Sequence, residues 1–228
     1  MKTIGLLGGT AWTSTVVYYR LLNELVAERL GGCHSAKILL KSLDYHDIME
    51  SYGKDSLSIA EALKRELSGL LAFKPDCFMV CCNSLHKYYD EIEADLGPIP
   101  PVLHAVKLVA QHAAQKHYKK VLLLATAFTM EDGFFARILE SHGVEAVVPT
   151  PQERAGMKTI HHDLVQNIVT EASRAWFSNL IASYKHLDAV VLGCTEYPLV
   201  VDPSNSVLPI IDPMQLQVQH AVDYALAP

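Results

Sequence analysis

Two cysteines in this chain each close an apolar run and open onto short polar residues. Cys82 ends Phe78-Met79-Val80-Cys81-Cys82 and leads into Asn83-Ser84, while Cys194 ends Ala189-Val190-Val191-Leu192-Gly193-Cys194 and leads into Thr195-Glu196. A residue at the carboxyl end of a buried parallel strand sits where open α/β sheets place their ligands. Backbone N–H groups and small polar side chains at the strand-to-helix turn that follows make a nest for a carboxylate, and the same nest favours a thiolate. Two such thiols suit proton transfer at a carbon next to a carboxylate. One thiolate removes the α-proton from one face, the other cysteine, as a neutral thiol, delivers a proton to the opposite face, and inversion follows. This work needs a thiol pKa close to the operating pH. Thr10, Thr126 and Thr129, together with the two nests, are candidates to stabilise the enolate charge that develops.

The elements that must position these thiols read as two versions of one unit. Each cysteine follows an apolar strand that ends in a threonine: Thr3-Ile4-Gly5-Leu6-Leu7-Gly8-Gly9-Thr10 for the first and Val121-Leu122-Leu123-Leu124-Ala125-Thr126 for the second. The interval from Thr10 to Cys82 is 72 positions and that from Thr126 to Cys194 is 68. Short apolar strands alternate with helical patterns throughout, the mark of a mostly parallel sheet with helices on both faces. The pattern predicts a helix capped by Thr13 or Ser14 and stopped by Gly31-Gly32, a strand over 37–43, an amphipathic helix over 57–73 and a buried strand over 77–81. In the second half it predicts a helix through Phe134 and Leu139, strands over 144–148 and 207–211, and one long helix over 159–184. The Gln-rich C-terminal helix is expected to pack back onto the first unit.

Gly97-Pro98-Ile99-Pro100-Pro101 is the clearest punctuation, because proline donates no ladder hydrogen bond and disfavours helix in the residue before it. The expected division is therefore residues 1–98 plus 208–228 for one α/β domain and 99–207 for the other. At 228 residues and 50% hydrophobic composition, the chain can bury a core in two domains of roughly 100 residues each. A net charge of −6 without a long Lys/Arg cluster argues against nucleic acid or an anionic membrane surface as partner. Small molecules or further copies of the chain are the expected partners. The N-terminus enters a strand without a signal-peptide pattern, and no run approaches about 18 apolar residues, so a soluble cytoplasmic protein is expected. Five cysteines in that setting imply reduced thiols rather than a disulfide framework.

Competing chemistries fit less well. Cys77 and Cys81 share a strand face at period two and read as core residues, and Cys33 reads as incidental. No Cys-x-x-Cys pair is present, and His46 and His161-His162 lack partners at usual ligand spacing, so no metal is expected. The opening Gly5-Leu6-Leu7-Gly8-Gly9-Thr10 lacks the Gly-x-Gly-x-x-Gly dinucleotide fingerprint. Its glycines are instead expected to let the backbone approach a small anion at a helix N-terminus, and Gly9 is a candidate substrate-binding residue. No lysine context marks pyridoxal phosphate, and no cofactor is expected.

With these motifs in view the chain resembles the cofactor-independent aspartate/glutamate racemases over essentially its whole length. The resemblance rests on Ile4 to Thr10 with Ser14-Thr15 and Tyr18-Tyr19, on Cys82-Asn83-Ser84-Leu85-His86, on the Thr126 to Thr129 turn and on Gly193-Cys194-Thr195-Glu196. It implies two pseudo-symmetric parallel-sheet α/β domains with the active site in the cleft between them, Cys82 and Cys194 as the acid/base pair, and a homodimer. It also implies that Asn83, Ser84, Thr126 and Thr195 hold the α-carboxylate and ammonium groups of the substrate. Glu196 joins the candidate substrate-binding residues through the polar turn after Cys194. The chain departs from the family pattern at Ala125, where glycine is frequent, and at Lys107, where an acidic residue is frequent. The leading reading is an amino-acid racemase. The alternatives are a cysteine-dependent isomerase or decarboxylase of a small dicarboxylate, of the maleate isomerase or arylmalonate decarboxylase type, and a binding protein without turnover.

Overall fold

The computed structural model describes residues 1–49 and 55–228. Short segments of two to five residues, most of them rich in Ile, Leu and Val, form its strands, and they alternate with helices along the chain. The first unit comprises Met1–Ala105 and Met214–Pro228, and the second comprises Val106–Pro213.

In the first unit β1 (Ile4–Gly8) leads to α1 (Trp12–Leu30), β2 (Ile38–Ser42), α2 (Tyr45–Met49), α3 (Ser56–Leu71), β3 (Cys77–Val80) and α4 (Leu85–Ile92). The sheet order is β2-β1-β3, and both pairings are parallel. In the second unit α5 (Ala105–Gln115), which starts at the boundary, leads to β4 (Lys120–Leu124), α6 (Ala127–Asp132), α7 (Phe134–Glu140) and β5 (Glu145–Val147). Then come α8 (Pro151–Leu164), α9 (Glu171–Ser183), β6 (Ala189–Leu192) and β7 (Ile210–Ile211). The order is β5-β4-β6-β7, again with parallel pairings. The repeat read from the sequence is thus a topological one: in each unit the first strand lies between the second and the third. The fold class is two parallel-sheet α/β domains, as expected.

Both thiol-bearing strands, β3 and β6, are buried at every position. Each Val or Leu placed there contributes about 1.5–3 kcal/mol over an exposed position. In the first unit Cys77, Met79 and Cys81 share a core with Ile4, Leu6, Tyr18 and Leu22. The last helix, α10 (Pro213–Leu226), completes that core through Met214, Val218, Ala221, Val222 and Ala225. The C-terminal helix therefore packs on the first unit as its sequence suggested. A buried hydrogen bond from Tyr18 Oη to Gln217 Oε1 (2.6 Å) and one from Gln217 Nε2 to the Leu103 carbonyl (2.6 Å) tie it in place.

Several local expectations need correction. The division falls later than the proline cluster, because the Phe78 N–H donates to the Pro101 carbonyl (3.0 Å) and Val102 bridges Phe78 in parallel. Residues 99–105 thereby belong to the first unit, and β7, paired with β6, keeps 208–213 in the second. The helix expected over 159–184 is two helices. Asn167 takes a left-handed φ of 60°, and Thr170 and Ser173 cap α9 reciprocally, a stop and a start in succession. Helix α8 begins earlier, at Pro151, behind a Thr150–Glu153 capping box. Helix α1 has Ala11 at its N-cap and no side-chain cap; Ser14 and Thr15 instead donate to the Ala11 carbonyl at 2.9 and 3.1 Å.

Candidate active site

The first thiol lies two residues beyond the end of β3. Register places Leu7 of β1 beside Val80 of β3, so the β1–α1 turn and the Cys82 turn leave the sheet at the same, carboxyl end. Cys81 points into the core at 1% exposure, whereas Cys82 is half-buried, as alternation along a strand requires. The Cys82 Sγ lies 3.3 Å from Ser84 Oγ. Ser84 stands at the N-cap of α4 without using its hydroxyl as a cap, and this leaves that hydroxyl directed to the thiol. Asn83 is buried beside it.

Gly9 and Thr10 shape this end of the sheet. Gly9 has φ of 97°, and a Cβ there would stand 2.2 Å from the Leu43 carbonyl oxygen, which only glycine tolerates. Its N–H donates to Thr15 Oγ1 at 3.0 Å. The close backbone approach that Gly9 allows in this structure is to Leu43, and its N–H is engaged by Thr15. Thr10 is half-buried in the same turn. His86, part of the first cysteine motif, is fully buried, accepts from the Ala105 N–H at 3.2 Å and lies against the His104 ring, centroids 4.1 Å apart at a tilt of 33°. It anchors the 101–105 segment.

The second thiol lies two residues beyond β6. Leu124 of β4 is in register with Leu192, so Thr126 and Cys194 stand two residues past adjacent strand ends. Gly193 sits in a tight space: a Cβ would stand 3.0 Å from the Ala125 Cβ and 3.2 Å from the Leu124 carbonyl oxygen, so a larger residue would need its neighbours to give way by a few tenths of an ångström. Thr126 caps α6, accepting from the Thr129 N–H at 3.4 Å and lying 3.1 Å from the Thr129 hydroxyl. The buried Cys194 Sγ donates to Glu196 Oε2 at 3.0 Å. Thr195 Oγ1 also donates to that carboxylate, 3.0 Å from each oxygen. Glu196, expected at the substrate, thus directs its acidic group to the thiol.

A residue that spacing alone dismissed joins this group. His161 Nε2 lies 3.9 Å from Glu196 Oε2, so this histidine has partners, which its sequence neighbourhood did not show. Burial pushes its pKa below 6.5, with Glu196 pulling upward and His162 adding to the depression. His161 also lines a cavity of about 240 Å³ with Thr126, Met130, Met157, Arg154 and Lys158. Arg154, Lys158 and His161 follow one another at i, i+4 and i+7 on α8, one helical face. Beginning the expected helix at Thr159 cut this face in two; the Thr150-Pro151-Gln152-Glu153 start signal was the clue that would have joined it.

Fold and site together define a duplicated parallel α/β protein with one thiol at the carboxyl end of a strand in each unit. The pattern of the Asp/Glu/Hydantoin racemases matches residues 7–221. The chain belongs to the Asp/Glu/hydantoin racemase family, and is thereby an isomerase of the racemase type. A crystal structure from Yersinia pestis, provisionally described as an Asp/Glu racemase, is 36% identical with a TM-score of 0.89, covering 100% of both chains. The broad specificity amino-acid racemase RacX of Bacillus subtilis is 26% identical over 166 residues, 73% of this chain and 70% of that protein. The glutamate racemase of Nitratiruptor is 25% identical over 135 residues, 57% of this chain, and the match spans only 50% of that protein. Among the described residues no helix is long and apolar enough to cross a membrane.

Proposed function

We propose that this protein racemises a small acidic amino acid without a cofactor, with Cys82 and Cys194 as the two proton-transfer groups. The observation that carries the reading is a thiol two residues past the third strand of each repeated unit, each with an oxygen partner of its own. Ser84 attends Cys82, and the Glu196 carboxylate attends Cys194. The reaction requires the two sulfurs to reach opposite faces of one α-carbon. One thiolate takes the α-proton, the electron pair delocalises into the carboxylate, and the other thiol protonates the opposite face. Glu196 serves as the proton acceptor that readies Cys194 for the thiolate role. Asn83, Ser84, Thr10, Thr126, Thr129 and Thr195 supply donors for the α-carboxylate and its enolate charge.

Aspartate and glutamate are the first substrates in this reading. Arg154 and Lys158 bring positive charge to the cavity that Thr126 and His161 also line. Relatives named as a glutamate racemase and a broad-specificity racemase agree with it. The reading extends to a homodimer in the cytoplasm, where five free thiols stay reduced. Incubation with L-aspartate or L-glutamate in D₂O tests the activity. Loss of the α-proton signal and of optical rotation together is expected, and each single change, Cys82→Ser and Cys194→Ser, is expected to abolish both while leaving the circular dichroism spectrum intact. Full activity in either variant overturns the two-thiol assignment.

A further inference from the structure

We infer that His161, Cys194 and Glu196 form a binding site for a zinc-type divalent cation, and that the bound ion withdraws the Cys194 sulfur from proton transfer. The three side chains come from α8 and from the turn after β6, and their donor atoms Nε2, Sγ and a carboxylate oxygen lie within 4.8 Å of one another. The closest pairs are 3.0 Å for sulfur to Oε2 and 3.9 Å for Nε2 to Oε2. Zinc bonds of about 2.0–2.3 Å in tetrahedral array set ligand atoms roughly 3–4 Å apart, so small side-chain rotations close the set around one ion.

The donor chemistry selects the metal class. Thiolate with imidazole and carboxylate suits zinc or cobalt, whereas magnesium and calcium take oxygen ligands. Thr195 holds the Glu196 carboxylate from behind through its hydroxyl, the outer support that metal-binding carboxylates use. Water is the usual fourth ligand where a zinc ion has three protein ligands. On binding, the Cys194 S–H bond breaks, a sulfur–metal bond forms and the proton leaves to buffer; nothing is oxidised or reduced. The inhibitory part rests on the proposed role of Cys194, and the binding part does not.

Titrating reduced, chelator-treated protein with Co²⁺ tests the binding directly. A thiolate-to-cobalt charge-transfer band saturating at one ion per chain and bleached by Zn²⁺ is expected. Cys194→Ser removes the band, Cys82→Ser keeps it, and His161→Ala weakens cobalt affinity at least ~10-fold, as does Thr195→Val by its outer-shell effect. The second variant serves if the first does not fold by circular dichroism. No band in the unmodified protein, a band that survives Cys194→Ser, or unchanged affinity in a folded His161→Ala protein overturns the site. Saturating Zn²⁺ is expected to stop α-proton exchange, with recovery on adding EDTA. Exchange at full rate in zinc-loaded protein overturns the inhibitory part. Cobalt binding as described in a protein that exchanges no α-proton on any amino acid overturns the racemase reading instead.

Discussion

The Cys194 thiol and the Glu196 carboxylate form the most specific contact of the site, because a buried acid beside a buried thiol needs a reason to be there. If Glu196 accepts the thiol proton, Glu196→Gln keeps the size and the Thr195 contact but loses the acceptor charge. A loss of about 10²–10⁴-fold in kcat with little change in KM is expected; a rise in KM at constant kcat would instead make Glu196 a substrate ligand. The other thiols are separable by their surroundings. Burial, with Asp76 adding to it, pushes Cys77 up to about 12, and burial raises Cys81 well above the ordinary thiol value. Thiolate is scarce at both near neutral pH. Iodoacetamide is therefore expected to label exposed Cys33 and half-buried Cys82 well before Cys77 and Cys81, with substrate protecting Cys82. Peptide mass spectrometry reads the order, and early labelling of Cys81 would contradict the packing. His161 supplies a pH signature. Its folded pKa is below 6.5, so the unfolded chain takes up the proton first as pH falls. Its contribution to stability is intact above the unfolded value and declines as pH falls below it toward the folded one. The difference in Tm between about pH 7.5 and about pH 5.5 is expected to narrow in His161→Gln; an unchanged difference would place the acid sensitivity in other groups.

At the scale of elements, the buried strands and the turns that follow them carry the thiols, while helices α8 and α10 supply what completes each unit. Gln217 on α10 holds Tyr18 and the Leu103 carbonyl inside the first core. Gln217→Leu leaves the half-buried Leu103 carbonyl and the buried Tyr18 hydroxyl without this amide and is expected to cost about 1–3 kcal/mol, seen as a lower urea midpoint at unchanged slope. A neutral result would mean that the amide adds nothing beyond packing. The central strands β1, β3, β4 and β6 were legible because four or five buried residues in a row leave few other conformations, whereas the strand expected over 207–211 is only Ile210–Ile211. Helix ends were less so. Thr13 and Ser14 looked like caps, yet Ser14 and Thr15 are buried donors to the Ala11 carbonyl. The break at Asn167 was missed because apolar residues continue on both sides of it, and the hydrophobic period does not register a left-handed residue.

For the molecule as a whole, the proposed homodimer can be tested on an exposed face of α1. Trp12, Val16 and Tyr19 lie at i, i+4 and i+7 on α1 with exposures of 70%, 56% and 51%, an apolar face of the kind that association covers. Light scattering is expected to give about twice the 25.2 kDa chain mass, and Trp12→Glu with Tyr19→Glu to return it to one; a monomer in the unmodified protein would remove the dimer from the reading. The sequence by itself determined the duplication, the parallel α/β class and which two cysteines follow the buried strands into polar turns, because these follow from local burial patterns and turn chemistry; that the strands stop two residues short of each thiol came from the structure. Only the tertiary structure decided that His161 meets Cys194 and Glu196, that Arg154 and Lys158 share a cavity with Thr126, and that 208–213 stays with the second sheet. The physical reason is separation along the chain. His161 and Cys194 are 33 positions apart, and their meeting depends on strand order and on which face of α8 packs inward, neither of which a residue's own neighbours specify.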